Sequence, residues 1–289
     1  MNYCLKKLKS FDLVVISFCI ATGIFMLFGY RQLQNISIHL ILRIALLTLI
    51  FLLVKVEDSK NLLLQFFRNF YPLLFLGFFY SETDYYNNFL FENLDIFLVH
   101  IENKIIGTQL ALEFSKQIPF PWFSEIMHFG YFSYYVMTLG IPLLFYIKAR
   151  RHFEKAMFII ILSFCFYYIL FILLPSIGPQ FYFPLNQQSV PEGYLFSKMM
   201  NIIIELAETQ TGAFPSSHVG LAMIYILLAV KYFKRVLFFL MPLTVILVFS
   251  TVYLKAHYTI DIIAGAITGI LFYYLSVKIY FKFFESLDK

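Results

Sequence analysis

Long apolar runs dominate this chain, and its polar positions are gathered into the short segments between them. Eight runs reach the length of a spanning helix: 11–30, 36–56, 62–80, 124–147, 154–174, 216–233, 235–254 and 258–281. About 20 apolar residues in a helix cross a hydrocarbon core roughly 30 Å thick. The pattern predicts an all-α, polytopic integral-membrane helical bundle with about eight transmembrane helices. The run 11–30 is too long for the core of a signal peptide, and no small-residue cleavage pattern follows it. Arg43 and Arg68 interrupt the second and third runs, where a charge faces the bundle interior or snorkels, so both are expected to be structural.

Two polar segments carry patterns of their own. In 81–123, Leu94, Leu98, Ile101 and Ile105 recur at helical spacing, with Glu92, Asp95 and Glu102 elsewhere on the helix. This predicts an amphipathic helix along the outer interface. Trp122 then marks headgroup level at the entry to the fourth span. In 197–210, Asn201, Glu205 and Glu208 share one face and Met199, Ile202, Ile203 and Leu206 the other. That stretch reads as an interfacial helix or as a lid over the segment that follows.

Composition and charge sharpen the picture. Hydrophobic residues make up 61% and charged residues 13%, against about 25% charged in soluble domains. The net charge of +5 is spread over short loops and reports topology, with no nucleic-acid footprint. The loops at 148–155 and 231–235 are basic, and Lys6, Lys7 and Lys9 precede the first run. The segments 81–123 and 175–215 hold six acids to two lysines and three acids to one lysine. The positive-inside bias fits eight spans with both termini cytoplasmic. Cys4, Cys19 and Cys165 suggest neither a disulfide framework nor a zinc site. Residues 1–289 read as a single membrane domain, with N-terminal spans and an outer amphipathic loop in 1–123 and a catalytic helical core in 124–281.

The chemistry gathers in 212–261. The span count brings three helix ends to the outer side: the end of the fifth run at Pro175-Ser176-Ile177-Gly178-Pro179-Gln180, the start of the sixth, and the turn around His257. Pro215-Ser216-Ser217-His218 reads as a helix start, with proline in the first turn and serine caps, and such an N-terminus attracts phosphate. His257 and Asp261 lie four apart on one helical face. Asp261 is the only acid in the last three runs. A carboxylate at that depth costs about 2.5–3.5 kcal/mol, so it calls for a partner, and His257 is the nearest. An Asp on one ring nitrogen fixes the tautomer and frees the other nitrogen as nucleophile or base. Taken singly, the clusters are also explained as a capped helix with an interfacial histidine and a structural His–Asp pair. Together they describe a phosphoryl-transfer site. His257 attacks phosphorus to give a phosphohistidine, His218 serves as acid then base, and amides near Ser216 and Ser217 hold the phosphoryl oxygens. The scheme requires no metal and no cofactor. His39, His100, His128 and His152 lack such partners and are expected to be structural, although His128 lies on a span that can approach the site.

These residues resemble the type 2 phosphatidic acid phosphatase superfamily, whose pattern is Lys-x6-Arg-Pro, Pro-Ser-Gly-His and Ser-Arg-x5-His-x3-Asp. Pro215-Ser216-Ser217-His218 is similar to the second motif, with serine for glycine. Ser250 to Asp261 matches the third in every spacing, with Thr251 for arginine. The wording around both motifs is most similar to the branch with inositol phosphorylceramide synthase. The resemblance implies His218 as general acid, His257 as nucleophile and Asp261 as its orienter. The first motif survives only as Pro175 to Pro179 with Gln180, where relatives often carry arginine, so Gln180 joins Ser216 and Ser217 as a phosphate-binding candidate. The motif lysine and both arginines are absent, with Lys255 and Lys198 the nearest substitutes. The resemblance implies an integral-membrane lipid phosphotransferase, metal-independent, moving a head group such as inositol phosphate between membrane lipids, with its site on the extracytoplasmic or lumenal side. Alternatives are a lipid phosphate phosphatase of the same superfamily and a non-catalytic phospholipid-binding protein.

Overall fold

The computed structural model describes residues 7–284, so Cys4 and Lys6 fall outside it. Among the described residues the chain forms twelve α-helices and no strand. In order these are α1 (Ser10–Phe28), α2 (Ile36–Lys55), α3 (Leu62–Tyr86), α4 (Asp95–Ile106), α5 (Leu110–Gln117), α6 (Pro121–Lys148), α7 (Arg150–Leu173), α8 (Pro179–Tyr182), α9 (Leu195–Ala207), α10 (Ser217–Tyr232), α11 (Leu237–Tyr253) and α12 (Thr259–Phe284). Seven of them are long and apolar enough to cross a membrane, and the chain is an integral membrane protein. The eighth expected span, α10, has only 16 residues. At 1.5 Å per residue it is roughly 24 Å long, shorter than the hydrocarbon core.

The bundle is built around α7, the most buried of the seven long helices. It packs against α1, α3, α6, α10 and α12. By contrast α2 packs mainly on α1 and α3 and leaves most of its surface exposed. The closest approach of backbones is between α10 and α12. A Cβ on Gly269 would collide with the backbone of Gly220, and one on Gly265 with the carbonyl oxygen of Ser216. Small residues one turn apart let two helices meet main chain to main chain, which is how association proceeds where lipid is as apolar as leucine. The Tyr167 hydroxyl of α7 donates to the Gly265 carbonyl at 3.1 Å and ties this pair to the central helix.

Both membrane-depth arginines point inward and are paired. The Arg68 guanidinium clamps both oxygens of Asp12, at 2.8 and 2.6 Å, and the Tyr71 hydroxyl donates to the same carboxylate at 2.6 Å. Arg43 donates to Glu82 and, at 2.8 Å, to the Thr22 hydroxyl. The Arg68–Asp12 pairing is bidentate, whereas Arg43 shares its donors between one Glu82 oxygen and Thr22.

The amphipathic segment 81–123 buries acids together with apolar residues. A helix forms there, but its inward stripe is Asp95, Leu98 and Glu102, with both acids about 1% exposed. Ile105 is 72% exposed, as is Ile96. The reason is backbone hydrogen bonding. Asp95 accepts from the N–H groups of Ile177 and Gly178, each at 2.9 Å, and Glu102 from that of Thr259 at 2.8 Å. Amide groups freed where helices break need acceptors of their own, and the two carboxylates supply them. Glu125 does the same for α9, accepting from the N–H groups of Tyr194, Leu195, Phe196 and Ser197 at its start.

Two stability outcomes follow from this packing. Asp12→Ala removes the bidentate partner of Arg68 and leaves Glu57, 2.8 Å from its Nε, as the remaining carboxylate, so it should cost about 3 kcal/mol, and Glu57→Gln added to it should cost more. Gly269→Val pushes α12 off α10 and should cost about 1–3 kcal/mol or more as overpacking. Thermal unfolding in detergent measures both.

Candidate active site

Three breaks between helices meet at one end of the bundle. The segment Pro175–Gly178 joins α7 to α8, residues 208–216 lead into α10, and residues 254–258 join α11 to α12. They are stitched by main-chain hydrogen bonds: Ala213 N–H to Ser176 O at 3.2 Å, Gln180 N–H to Lys255 O at 2.9 Å, and Ser216 N–H to Asp261 O at 3.0 Å. Gly178 sits where they are tightest. Its φ is +81°, and a Cβ there would lie 2.9 Å from both the Ala256 carbonyl oxygen and the Ala213 Cβ. Only glycine meets both conditions.

This stitching brings His218 and His257 together. His218 lies in the first turn of α10, whose N-cap Ser216 accepts from the Val219 N–H at 3.4 Å. The Pro215 peptide bond is cis. His257 Nε2 stands 3.2 Å from His218 Nδ1. On its other side, His257 Nδ1 is 2.7 Å from the Ala213 carbonyl oxygen and 3.5 Å from Asp261 Oδ2. A carbonyl oxygen can only accept, so Nδ1 carries the proton and Nε2 presents a lone pair toward His218. The tautomer expected from Asp261 is thus set first by a backbone carbonyl. Asp261 is occupied elsewhere: its Oδ2 reaches back to the Tyr258 N–H at 2.8 Å, the carboxylate half of a capping box at the start of α12.

Asp95 and Glu102 brace the same region from α4. The Tyr258 hydroxyl donates to Asp95 at 3.0 Å, and burial followed by the Asp95 charge pushes that phenol far up. Burial also raises the Glu102 carboxyl above its usual range, against the pull of the Thr259 N–H and hydroxyl.

A cavity of about 480 Å³ opens beside the histidines. Its polar end carries Ser217, His218, His257, Gln180 and Glu208. Tyr80, Tyr131, Tyr134 and Tyr135 form its middle, and Leu73, Leu76 and Leu139 its far wall between α3 and α6. The Tyr131 and Tyr134 rings lie 4.8 and 4.3 Å from the His218 ring. Leu139 and Leu206, both lining it, are 58% and 81% exposed on the apolar outer surface.

Of the six residues read from the sequence, five lie in or directly behind this cavity. Ser216 differs: its amide and hydroxyl are committed to Asp261 and Val219, so it holds the helix start in place. Among the described residues, no lysine or arginine lines the cavity. Lys255, with φ +63°, turns away and buries its ammonium against the Ser115 hydroxyl at 2.7 Å. Burial and then Lys116 lower it to about 8. Lys198 is exposed on α9. Neither is the missing phosphate-site cation. His128 lines a second cavity of about 340 Å³, which Gln180 shares with the first.

Sequence reasoning missed the Ala213 carbonyl, the Asp95 and Glu102 braces, and Glu208 with Tyr131. Glu208 had one visible signal: it ends the polar face of α9 directly before the site.

The sequence model of the PAP2 superfamily matches residues 106–275. No curated protein and no solved structure matches the chain. The matched residues hold all three segments that meet at the histidines and cover more than half of the chain. The chain therefore belongs to the PAP2 superfamily, and is an integral-membrane enzyme of the lipid phosphatase or phosphotransferase type.

Proposed function

We propose that the protein is a lipid phosphotransferase, which moves a phosphorylated head group from a phosphodiester lipid to a lipid hydroxyl through a phosphohistidine on His257. The observation that carries this is a cavity with two facing histidines at one end, apolar and aromatic walls, and no cationic side chain. A dianionic monoester needs cations. A diester bears one charge and long apolar tails, which suit these walls.

The substrate's phosphoryl group enters by replacing the hydrogen bond between the histidines. His257 Nε2 attacks phosphorus, and the imidazolium of His218 protonates the departing lipid oxygen. His218 then takes the proton of the incoming hydroxyl, and the phosphohistidine collapses to the new diester. The free amides of the first turn of α10, beside Ser217, hold the equatorial oxygens. Gln180 borders the same space. Ala213 and Asp261 keep Nδ1 protonated and give the developing positive charge on His257 a partner. Apolar walls limit water, which would waste the intermediate. The sequence resemblance to the inositol phosphorylceramide synthase-like branch agrees with transfer and suggests inositol phosphate as one group moved. The division into N-terminal spans and a catalytic core at 124–281 fits this reading, with α4 as the brace lent by the first part.

Purified protein with a phosphodiester lipid should form a new phospholipid only when diacylglycerol or ceramide is supplied, as mass spectrometry of the products reads out. His257→Ala and His218→Ala should each abolish this. Asp261→Asn should cost well under the roughly 10⁴-fold seen when a serine-protease triad loses tautomer control, because the Ala213 carbonyl remains. Free phosphate released from a monoester regardless of acceptor would make the protein a phosphatase. Lipid binding with turnover unaffected in the histidine variants would make it a binding protein.

The basic loops at 148–155 and 231–235 lie at the opposite end of the helices from the histidines, so the site faces the extracytoplasmic or lumenal side. A cysteine at Ser189 should react with an impermeant thiol reagent outside sealed cells, and one at Lys234 should not. The reverse pattern would invert the topology.

A further inference from the structure

The cavity is lined by a carboxylate and, among the described residues, by no lysine or arginine. Glu208 follows the last turn of α9, and both of its oxygens are aimed at cavity-lining groups. Oε1 accepts from the Tyr131 hydroxyl at 2.8 Å, and Oε2 accepts from the Gln180 amide. Tyr131 in turn lies against His218, so the carboxylate stands one tyrosine away from the reacting pair. Two neutral donors fix its position without cancelling its charge. Each oxygen keeps acceptor capacity beyond the one bond it makes. No lysine or arginine on the cavity wall balances it, and a half-buried carboxylate without a cation is costly. Tyr80, Tyr131 and Tyr135 surround the same space, and aromatic faces attract cations.

We infer that the donor lipid carries an ammonium in its head group, as in ethanolamine or choline phospholipids, and that Glu208 binds this ammonium while the phosphodiester lies between His218 and His257. The inference rests on the transferase reading and replaces inositol phosphate as the group moved. An inositol lipid brings a net negative charge into a cavity already holding Glu208 and no cation. A zwitterionic lipid brings the missing cation with it and enters with no net charge. In the transfer, the His257 Nε2–phosphorus bond forms as the bond from phosphorus to the diacylglycerol oxygen breaks, and the proton of the His218 imidazolium goes to that oxygen. The ammonium head group stays on phosphorus and on Glu208. The acceptor hydroxyl then bonds to phosphorus, the nitrogen–phosphorus bond breaks, and the hydroxyl proton returns to His218.

The test is a donor panel with purified protein in vesicles: phosphatidylethanolamine, phosphatidylcholine, phosphatidylinositol, phosphatidylglycerol and phosphatidic acid with the same acyl chains, plus labelled ceramide or diacylglycerol as acceptor. Transfer from one or both ammonium donors should exceed that from the anionic diesters in kcat/KM, by about 10-fold or more for one charge-assisted contact. Glu208→Gln should lower the ratio of ammonium-donor to anionic-donor kcat/KM by a similar factor. Preference within the ammonium pair tells which amine the tyrosines accommodate. Acceptor-dependent transfer that favours phosphatidylinositol or phosphatidylglycerol overturns this inference and leaves the transferase reading standing, as does a ratio unmoved by Glu208→Gln. Release of free phosphate from phosphatidic acid whatever the acceptor, or turnover of no donor, overturns the transferase reading and this inference with it. The wild-type panel decides alone if Glu208→Gln does not fold.

Discussion

A peptide N–H exposed to hydrocarbon has nothing to bond to, and leaving one unsatisfied costs several kcal/mol. This protein breaks its helices repeatedly at one end of the bundle, so it must supply acceptors there. Carboxylates do most of that work. Asp95 takes the amides before α8, Glu102 and Asp261 those at the start of α12, and Glu125 those at the start of α9. A short helix start, a left-handed residue and a tight glycine turn can then coexist within a few ångströms. The histidine pair is a product of that satisfied irregularity. Regular helices would hold no such arrangement, because their amides and carbonyls are already spent on each other.

Glycine packing completes the constraint. With Gly220, Gly265 and Gly269 at their contact, α10 and α12 meet backbone to backbone, and the Ser216 amide reaches the Asp261 carbonyl. The position of His218 therefore depends on α12, the same helix that begins two residues after His257. One helix pair sets both histidines, and the outer helix α4 sets the loop between α11 and α12 through Tyr258 and Thr259.

Much of this was legible in the sequence because it is local. Apolar length marked the seven long helices, while the run at 216–233 forms a helix of only 16 residues, and the i, i+4 spacing of His257 and Asp261 survives folding as a 3.5 Å contact. Counting spans was enough to bring the three segments to one end. What was hidden depends on contacts between distant positions. The pattern of 81–123 foretold a helix but not the burial of Asp95 and Glu102, because apolar periodicity carries no information about which amides elsewhere lack acceptors. The Ala213 carbonyl was invisible because every residue has one, and only tertiary structure says which is aimed at an imidazole. Glu208 was seen as a polar position on α9, yet its meaning comes from Gln180 and Tyr131, far away along the chain.

The far wall of the cavity has a consequence of another kind. Leu139 lines it and is also 58% exposed on the outer surface of α6, a helix long and apolar enough to cross a membrane. A lipid reaching His257 by that route keeps its tails in the bilayer throughout and never passes through water. Encounter is then two-dimensional diffusion, and the quantity that saturates the enzyme is the mole fraction of donor within the leaflet. Diluting the donor with inert lipid at constant bulk concentration slows such an enzyme, while diluting the whole suspension with buffer leaves its rate per protein unchanged.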